Sequence, residues 1–264
     1  EKFYGVTMFD LRDGYSLILC EEKNVERVVN KGFRFDSYAM TGLRGFSHLF
    51  GGLHEKLANN VVETFKNSGK FNVVGKFPHD FPQLVLPKKS FEKFENLNIE
   101  EIDKILDEKG FYLSSLKSGE ANIVNNIWTY ASVHTLLLIE ECLRSRPSIC
   151  VREKSTDKPI AWCLLRSDWS LAMLQVLPDY RRKKLAFYMM QSFIKTVLTL
   201  DINRFMSKQA KDAAKHNELI GSLLVQGVQP MCYVDQDNDA SIHLFCDKLG
   251  FVRADLACSW VRLE

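Results

Sequence analysis

No apolar run in this chain approaches the length needed to cross a bilayer, which argues against a membrane-spanning protein. Cysteines number seven, an odd count without a Cys-x-x-Cys pair. That pattern speaks against a disulfide framework and against a zinc site, and it suits a reducing compartment. A net charge of only +2 lacks the strongly basic face of nucleic-acid binders. Neither a Gly-x-Ser-x-Gly elbow nor a Gly-x-Gly-x-x-Gly fingerprint occurs, so the simplest hydrolase and dinucleotide readings fall. The stretch from Gly69 to Phe77 glances at a phosphate loop. It has five residues between Gly69 and Gly75, however, and Phe77 where a hydroxyl must reach magnesium, and so reads as a strand with glycine ends. The six histidines lack metal-ligand spacing, and His134, beside Leu136 and Leu137, reads as a packing or capping residue.

What is present suits an enzyme-sized α/β chain. Its 264 residues with 46% hydrophobic content bury enough surface for one or two domains. Residues 1–98 read as a mixed α/β domain, with strands around 17–20, 71–74 and 84–86 and helices near 25–30 and 53–66. Pro78, Pro82 and Pro87 then mark a linker-like stretch. Residues 99–264 form the second expected domain. There three short apolar runs, 149–151, 159–165 and 171–177, are separated by polar turns and read as an antiparallel meander. A helix over 180–200 follows, its buried face carried by Ala186, Met190, Phe193, Val197 and Leu200. A strand at 231–234 leads through Asp237, Asn238 and Asp239, which suit a helix cap, to a helix over 241–249 with Ile242, Phe245 and Leu249 on one face. Gly250 is expected to close it in a left-handed conformation, before strand material over 251–263. Residues 201–227 are far longer than the return such a fold needs, and read as an insertion serving as a lid, a partner surface or an extended hairpin.

The most informative stretch is the junction of strand and helix around Pro178. Arg181, Arg182, Lys183 and Lys184 are four consecutive cations at a helix start. A helix N-terminus is already electropositive, so each added cation there is unfavourable by roughly 0.3–1 kcal/mol unless an anion is bound. A strand, a turn and a helix N-terminus aimed at a phosphate form a recurring nucleotide-cofactor device.

The order of elements, the loop Pro178-Asp179-Tyr180-Arg181, and the terminal Asn238, Ser241 and Lys248-Leu249-Gly250-Phe251 resemble the GNAT superfamily of acyl-CoA-dependent N-acyltransferases. More narrowly, Gly110-Phe111-Tyr112-Leu113-Ser114-Ser115-Leu116, then Ala121, Val124-Asn125 and Trp128, with Pro147-Ser148-Ile149-Cys150 and Lys158-Pro159-Ile160-Ala161-Trp162, resemble the glycine N-acyltransferase family. The resemblance covers roughly 110–251. It implies a two-domain GNAT-type α/β (α+β) fold with a mixed, mostly antiparallel sheet flanked by helices, and acyl-CoA or acetyl-CoA as co-substrate without a metal. The partner it implies is a small-molecule amine, glycine or another amino acid, rather than a nucleic acid or a membrane, and the compartment is the mitochondrion, with the cytoplasm as the alternative. By position, Val176 lies against the pantetheine arm and Arg181, Arg182, Lys183, Lys184, Leu185 and Ala186 surround the pyrophosphate, with Asn238 and Ser241 completing the cofactor set.

Three positions depart from the family pattern. Lys184 stands where the family loop has glycine, and Phe245 where many of these enzymes carry a tyrosine that protonates the leaving thiolate. Ser170 falls where glycine N-acyltransferases carry a glutamate base. Amine attack on a thioester requires that some group take a proton. Asp168, two residues before Ser170 and on its face if the strand extends that far, is the first candidate for that role, against a reading as a turn cap. Three readings stay open: an N-acyltransferase acting on a small amine, a catalytically impaired CoA-binding or interaction module of the same fold, and a protein N-acetyltransferase.

Overall fold

The structure is a computed structural model that describes residues 6–11, 15–20, 48–54, 63, 73–77, 82–129, 131, 133–166, 169–201, 204, 228–254 and 258–263, with side chains at 63, 82–129, 131, 135–166, 169–201, 204 and 228–254. In chain order the strands are β1 (Val6–Leu11), β2 (Tyr15–Cys20), β3 (His48–His54), β4 (Val73–Phe77), β5 (Gln83–Val85), β6 (Phe111–Ser114), β7 (Ser148–Glu153), β8 (Pro159–Leu165), β9 (Ser170–Val176), β10 (Met231–Tyr233), β11 (Val252–Arg253) and β12 (Cys258–Leu263). The α-helices are α1 (Phe91–Glu95), α2 (Ile99–Asp107), α3 (Ala121–Ile127), α4 (Val133–Ser145), α5 (Leu185–Leu198) and α6 (Asp239–Ile242), the last running into a π-helical turn over His243–Lys248. Among the described residues no helix is long and apolar enough to cross a membrane.

The chain divides into two compact units. One comprises 1–83, 233–238 and 254–264, the other 84–232 and 239–253. The first holds a five-stranded sheet ordered β1-β2-β3-β12-β4. The helix expected over 53–66 starts later than that: Leu53 and His54 close β3, Glu63 is helical, and the other residues of the range lie outside the described ones. Pairing decides this: β3 lies antiparallel to the distant β12, with Phe50 opposite Val261, so a tertiary ladder overrides the local pattern. The helix expected over 25–30, most of the 201–227 insertion and Asp168 lie outside the described residues, as does the side chain of His134.

The second unit is built on a seven-stranded sheet ordered β11-β5-β10-β9-β8-β7-β6. It is the mixed, mostly antiparallel sheet that was expected. The meander β7-β8-β9 is antiparallel throughout, and β10 alone is seen to join β9 in parallel. All of β8 is buried, which is why it reads as a continuous apolar run rather than an alternating one. Helix α5 packs across β7, β8 and β9 and meets α1 and α2. It begins at Leu185, five residues later than expected, because Arg182 and Lys184 before it have φ of 62° and 63°. The buried face shifts with it. Leu185, Met189, Met190, Phe193, Ile194 and Val197 are buried, whereas Ala186 and Leu200 are only half-buried. Gly250 adopts φ +82°, the left-handed turn expected of it.

Between β6 and the β7–β8 hairpin sits Arg152, 1% exposed. Its guanidinium is fully engaged. Nη1 and Nη2 donate to the two Glu120 carboxylate oxygens at 2.8 and 2.7 Å, Nε to Ser114 Oγ at 2.7 Å, and the remaining bonds go to the carbonyls of Asp157 at 2.9 Å and Ser115 at 3.1 Å. A bidentate pair with every donor satisfied is the arrangement under which a buried charge is tolerated. Its Glu120 hydrogen bonds raise the Arg152 pKa, against the lowering effect of burial. At Glu120 burial pulls the pKa upward, but the hydrogen bonds from Arg152 and the Lys117 N–H prevail and hold it below its usual value.

Candidate functional site

The site is assembled along β9 and the loop that follows. Opposite β8, Trp162 pairs with Gln175 and Leu164 with Ala172, so one residue of β8, Cys163, faces two of β9, Met173 and Leu174. That is a β-bulge, and Met173 takes it up with φ +55°. The Cys163 thiol donates to the carbonyl of Ala172 at 3.4 Å, filling the gap the bulge leaves, and burial pushes its pKa up to about 12. On the other side β10 pairs with β9 only at Ser170 and Leu171, through Met231 and Cys232. Among the described residues, therefore, β9 loses its strand neighbour on that side from Ala172 to its end. Backbone groups freed in this way remain available to an extended ligand.

At the end of β9 the Leu177 N–H returns to the Ile160 carbonyl at 2.9 Å, and Pro178–Tyr180 form a single 3-10 turn. The loop then alternates into the left-handed region at Arg182 and at Lys184, the N-cap of α5. Lys184 makes no side-chain cap, so the N–H groups of Leu185, Ala186 and Phe187, which have no acceptor within the helix, receive none from the N-cap side chain. The four cations at 181–184 are all exposed, and none pairs with a carboxylate among the described residues. The unpaired cations before the start of α5 suit a polyanion such as a pyrophosphate.

Two cations have neighbours of another kind. Arg181 Nε donates to the Val176 carbonyl at 3.1 Å, on the last residue of β9, which is half-buried. Lys183 Nζ lies 5.1 Å from the centroid of the Tyr180 ring and 5.7 Å from that of Phe111. The two rings meet edge to face at 6.0 Å, and the Tyr180 hydroxyl donates to Glu153 Oε1 at 2.9 Å. That bond raises the Tyr180 pKa, and it joins the Thr156 hydroxyl in lowering that of Glu153.

Ser170 opens β9 and is fully buried. Trp169 before it has φ +64° and the Ser170 carbonyl accepts the Arg166 N–H at 3.0 Å, so strand register cannot be carried back to Asp168. Ser170 and the cationic loop stand at opposite ends of β9, about 20 Å apart by strand rise. Asn238 precedes α6, its N–H bonded to the Asp235 carbonyl at 2.9 Å, and Ser241 lies within α6. Asn238 belongs to the first compact unit and Ser241 to the second. Phe245 is buried in the π-helical turn, its ring edge to face with Phe251 at 5.1 Å. It has no hydroxyl to give. Among the described residues no group of three His, Cys, Asp or Glu side chains is arranged to hold a metal ion.

Sequence reasoning did not find the bulge at Met173, the paired left-handed residues or the ring pair beneath Lys183. For one of these a signal existed, since Lys184 stands where the resembled loop has glycine, the residue suited to positive φ. A second signal was the charge of Arg152 at the end of an apolar strand.

No family model matches the chain. Over 90 residues, 34% of the chain, it is 30% identical to the glycine N-acyltransferase of Mus musculus. Over a stretch of the same length it is 28% identical to that of Homo sapiens. The chain is similar to glycine N-acyltransferase. The matched stretch spans 30% of the length of each of these relatives. The X-ray structure of a Drosophila protein superposes with a TM-score of 0.59 at 16% identity, covering 98% of this chain and 73% of that one, so the fold is shared. A GCN5-related N-acetyltransferase from Kribbella flavida superposes with a TM-score of 0.41 at 11% identity, over 86% of this chain and 73% of that one.

Proposed function

We propose that the protein is an N-acyltransferase that moves an acyl group from acyl-CoA to the amine of a small acceptor, glycine or another amino acid. The observation that carries this reading is the continuity of the free edge of β9 with the loop at 181–184, where left-handed backbone and unpaired cations meet. Acyl-CoA supplies the acyl group as a thioester, activated for attack by an amine. In this reading the N–H groups at 182–187 and the side chains of Arg182 and Lys184 hold the pyrophosphate, and Val176 lines the path of the arm. Backbone N–H groups on the free edge of β9 stabilise the negative charge that grows on the acyl oxygen during attack. The amine nitrogen forms the new amide bond, the C–S bond breaks, and the amine's proton must leave. Ser170 occupies the position of the base in the resembled family, and a hydroxyl does not take that proton at neutral pH without help. Asp168 or a water chain completes the transfer, and Asp168→Asn tests the first.

The burial of Ser170, with no carboxylate in its place, favours a second reading in which the chain binds CoA without turning it over. A melting-temperature series with CoA and acyl-CoAs, followed by mass spectrometry of products from mixed amino acids, separates the two. A ligand at a hundred times its dissociation constant stabilises by about 2.7 kcal/mol. Absence of any shift at millimolar acyl-CoA refutes both readings, and a shift without product selects the second.

A further inference from the structure

We propose that Lys183 is a positioning residue of the anion loop rather than one of its phosphate ligands, an inference that rests on the acyl-CoA reading above. Its ammonium lies within cation–π distance of both Tyr180 and Phe111, at 5.1 and 5.7 Å from the ring centroids. Those rings belong to different elements, the loop and β6, and touch edge to face. Phe111 is buried and pairs with Glu153 across β6–β7, and Glu153 in turn accepts the Tyr180 hydroxyl at 2.9 Å. A closed circuit results: Lys183 to the rings, Tyr180 to Glu153, Glu153 to Phe111 through the sheet. It fastens the middle of the loop to the β6–β7 ladder.

Such a fastening has a physical reason. The residues on either side of Lys183, Arg182 and Lys184, are both non-glycine residues at positive φ, a conformation that the isolated chain resists and that persists only where surrounding contacts impose it. In this arrangement Lys183 holds the backbone of the loop, while Arg182 and Lys184 supply charge to the ligand.

Calorimetric titration of CoA at a series of salt concentrations tests this on the full chain. Removing a phosphate ligand flattens the dependence of affinity on salt, whereas removing a positioning residue weakens affinity at every salt concentration alike. Lys183→Met is expected to raise the CoA dissociation constant about threefold to tenfold, with the wild-type salt dependence retained. Arg182→Met flattens that dependence. Lys183→Arg restores affinity, because a guanidinium also stacks on aromatic rings. A Lys183→Met variant with the flattened salt dependence of Arg182→Met overturns the proposal. A double-mutant cycle of Lys183→Met with Phe111→Leu, read by denaturant unfolding without ligand, is independent of whether CoA binds. Non-additive losses support the clamp, and additive losses overturn it. Failure of the wild type to bind CoA refutes the acyl-CoA reading and leaves this cycle to decide the clamp.

Discussion

Replacing Lys184 with glycine should make the protein more stable and its binding of CoA weaker, and the opposite signs are what make the experiment informative. Lys184 is the N-cap of α5 with φ 63° and ψ 16°, and its side chain makes no capping bond. A non-glycine residue in the left-handed region costs about 1–2 kcal/mol, which glycine does not incur. Removing a cation from a helix N-terminus gains a further ~0.3–1 kcal/mol in the absence of an anion. Against this, glycine loses about 0.5–1 kcal/mol more conformational entropy on folding. The net is a stabilisation of about 1 kcal/mol, or roughly 2–4 °C in melting temperature for a chain of this size. Lys184→Ala separates the contributions, since alanine removes the charge but keeps the strained backbone. Differential scanning calorimetry without ligand should therefore rank glycine above alanine and alanine at or above wild type. The CoA-induced rise in melting temperature should shrink in both variants because a cation is lost. A Lys184→Gly variant that melts no higher than Lys184→Ala would refute the argument that the loop is held in a strained conformation.

Other consequences concern the buried groups. Glu120→Gln leaves Arg152 buried beside a neutral partner and should cost about 3–5 kcal/mol in denaturant unfolding. The folded-state pKa of Glu120 is depressed, so its contribution to stability is present above its unfolded pKa and is lost as pH falls through the folded one. Acid titration of stability should show this limb in wild type and not in Glu120→Gln. Of Cys142, Cys150, Cys163, Cys232 and Cys246, the last alone is not fully buried, and burial pushes the Cys163 thiol up to about 12, so time-resolved alkylation with peptide mapping should modify Cys246 before the other four. Ser170→Glu places a carboxyl at a fully buried position, where desolvation raises its pKa toward the range of a general base. Turnover of acyl-CoA should rise while melting temperature falls, and an unchanged rate would show that this position does not handle the proton.

Periodicity and local chemistry carried much of the second unit. The runs that became β7, β8 and β9 are apolar and bounded by polar turns, and strands of that kind are specified locally, as is the left-handed closure at Gly250. The cationic loop was legible for an electrostatic reason, four consecutive cations at an expected helix start. The start of α5 was not, because the charged residues 181–184 are compatible with an exposed helical turn, whereas the backbone there is not helical. The break lies at Arg182 and Lys184, whose positive φ departs from the helix. Pairing between distant strands was equally beyond local reading: β3 is a strand because β12, about two hundred residues later, lies beside it. The bulge at Met173 and the short ladder between β9 and β10 follow from register between strands, and register is a property of the assembled sheet. The sequence by itself determined which residues are apolar, which are charged and where turns must fall. Tertiary structure decided which backbone groups stay unpaired, since a hydrogen-bond vacancy exists only once every neighbouring strand has taken its place.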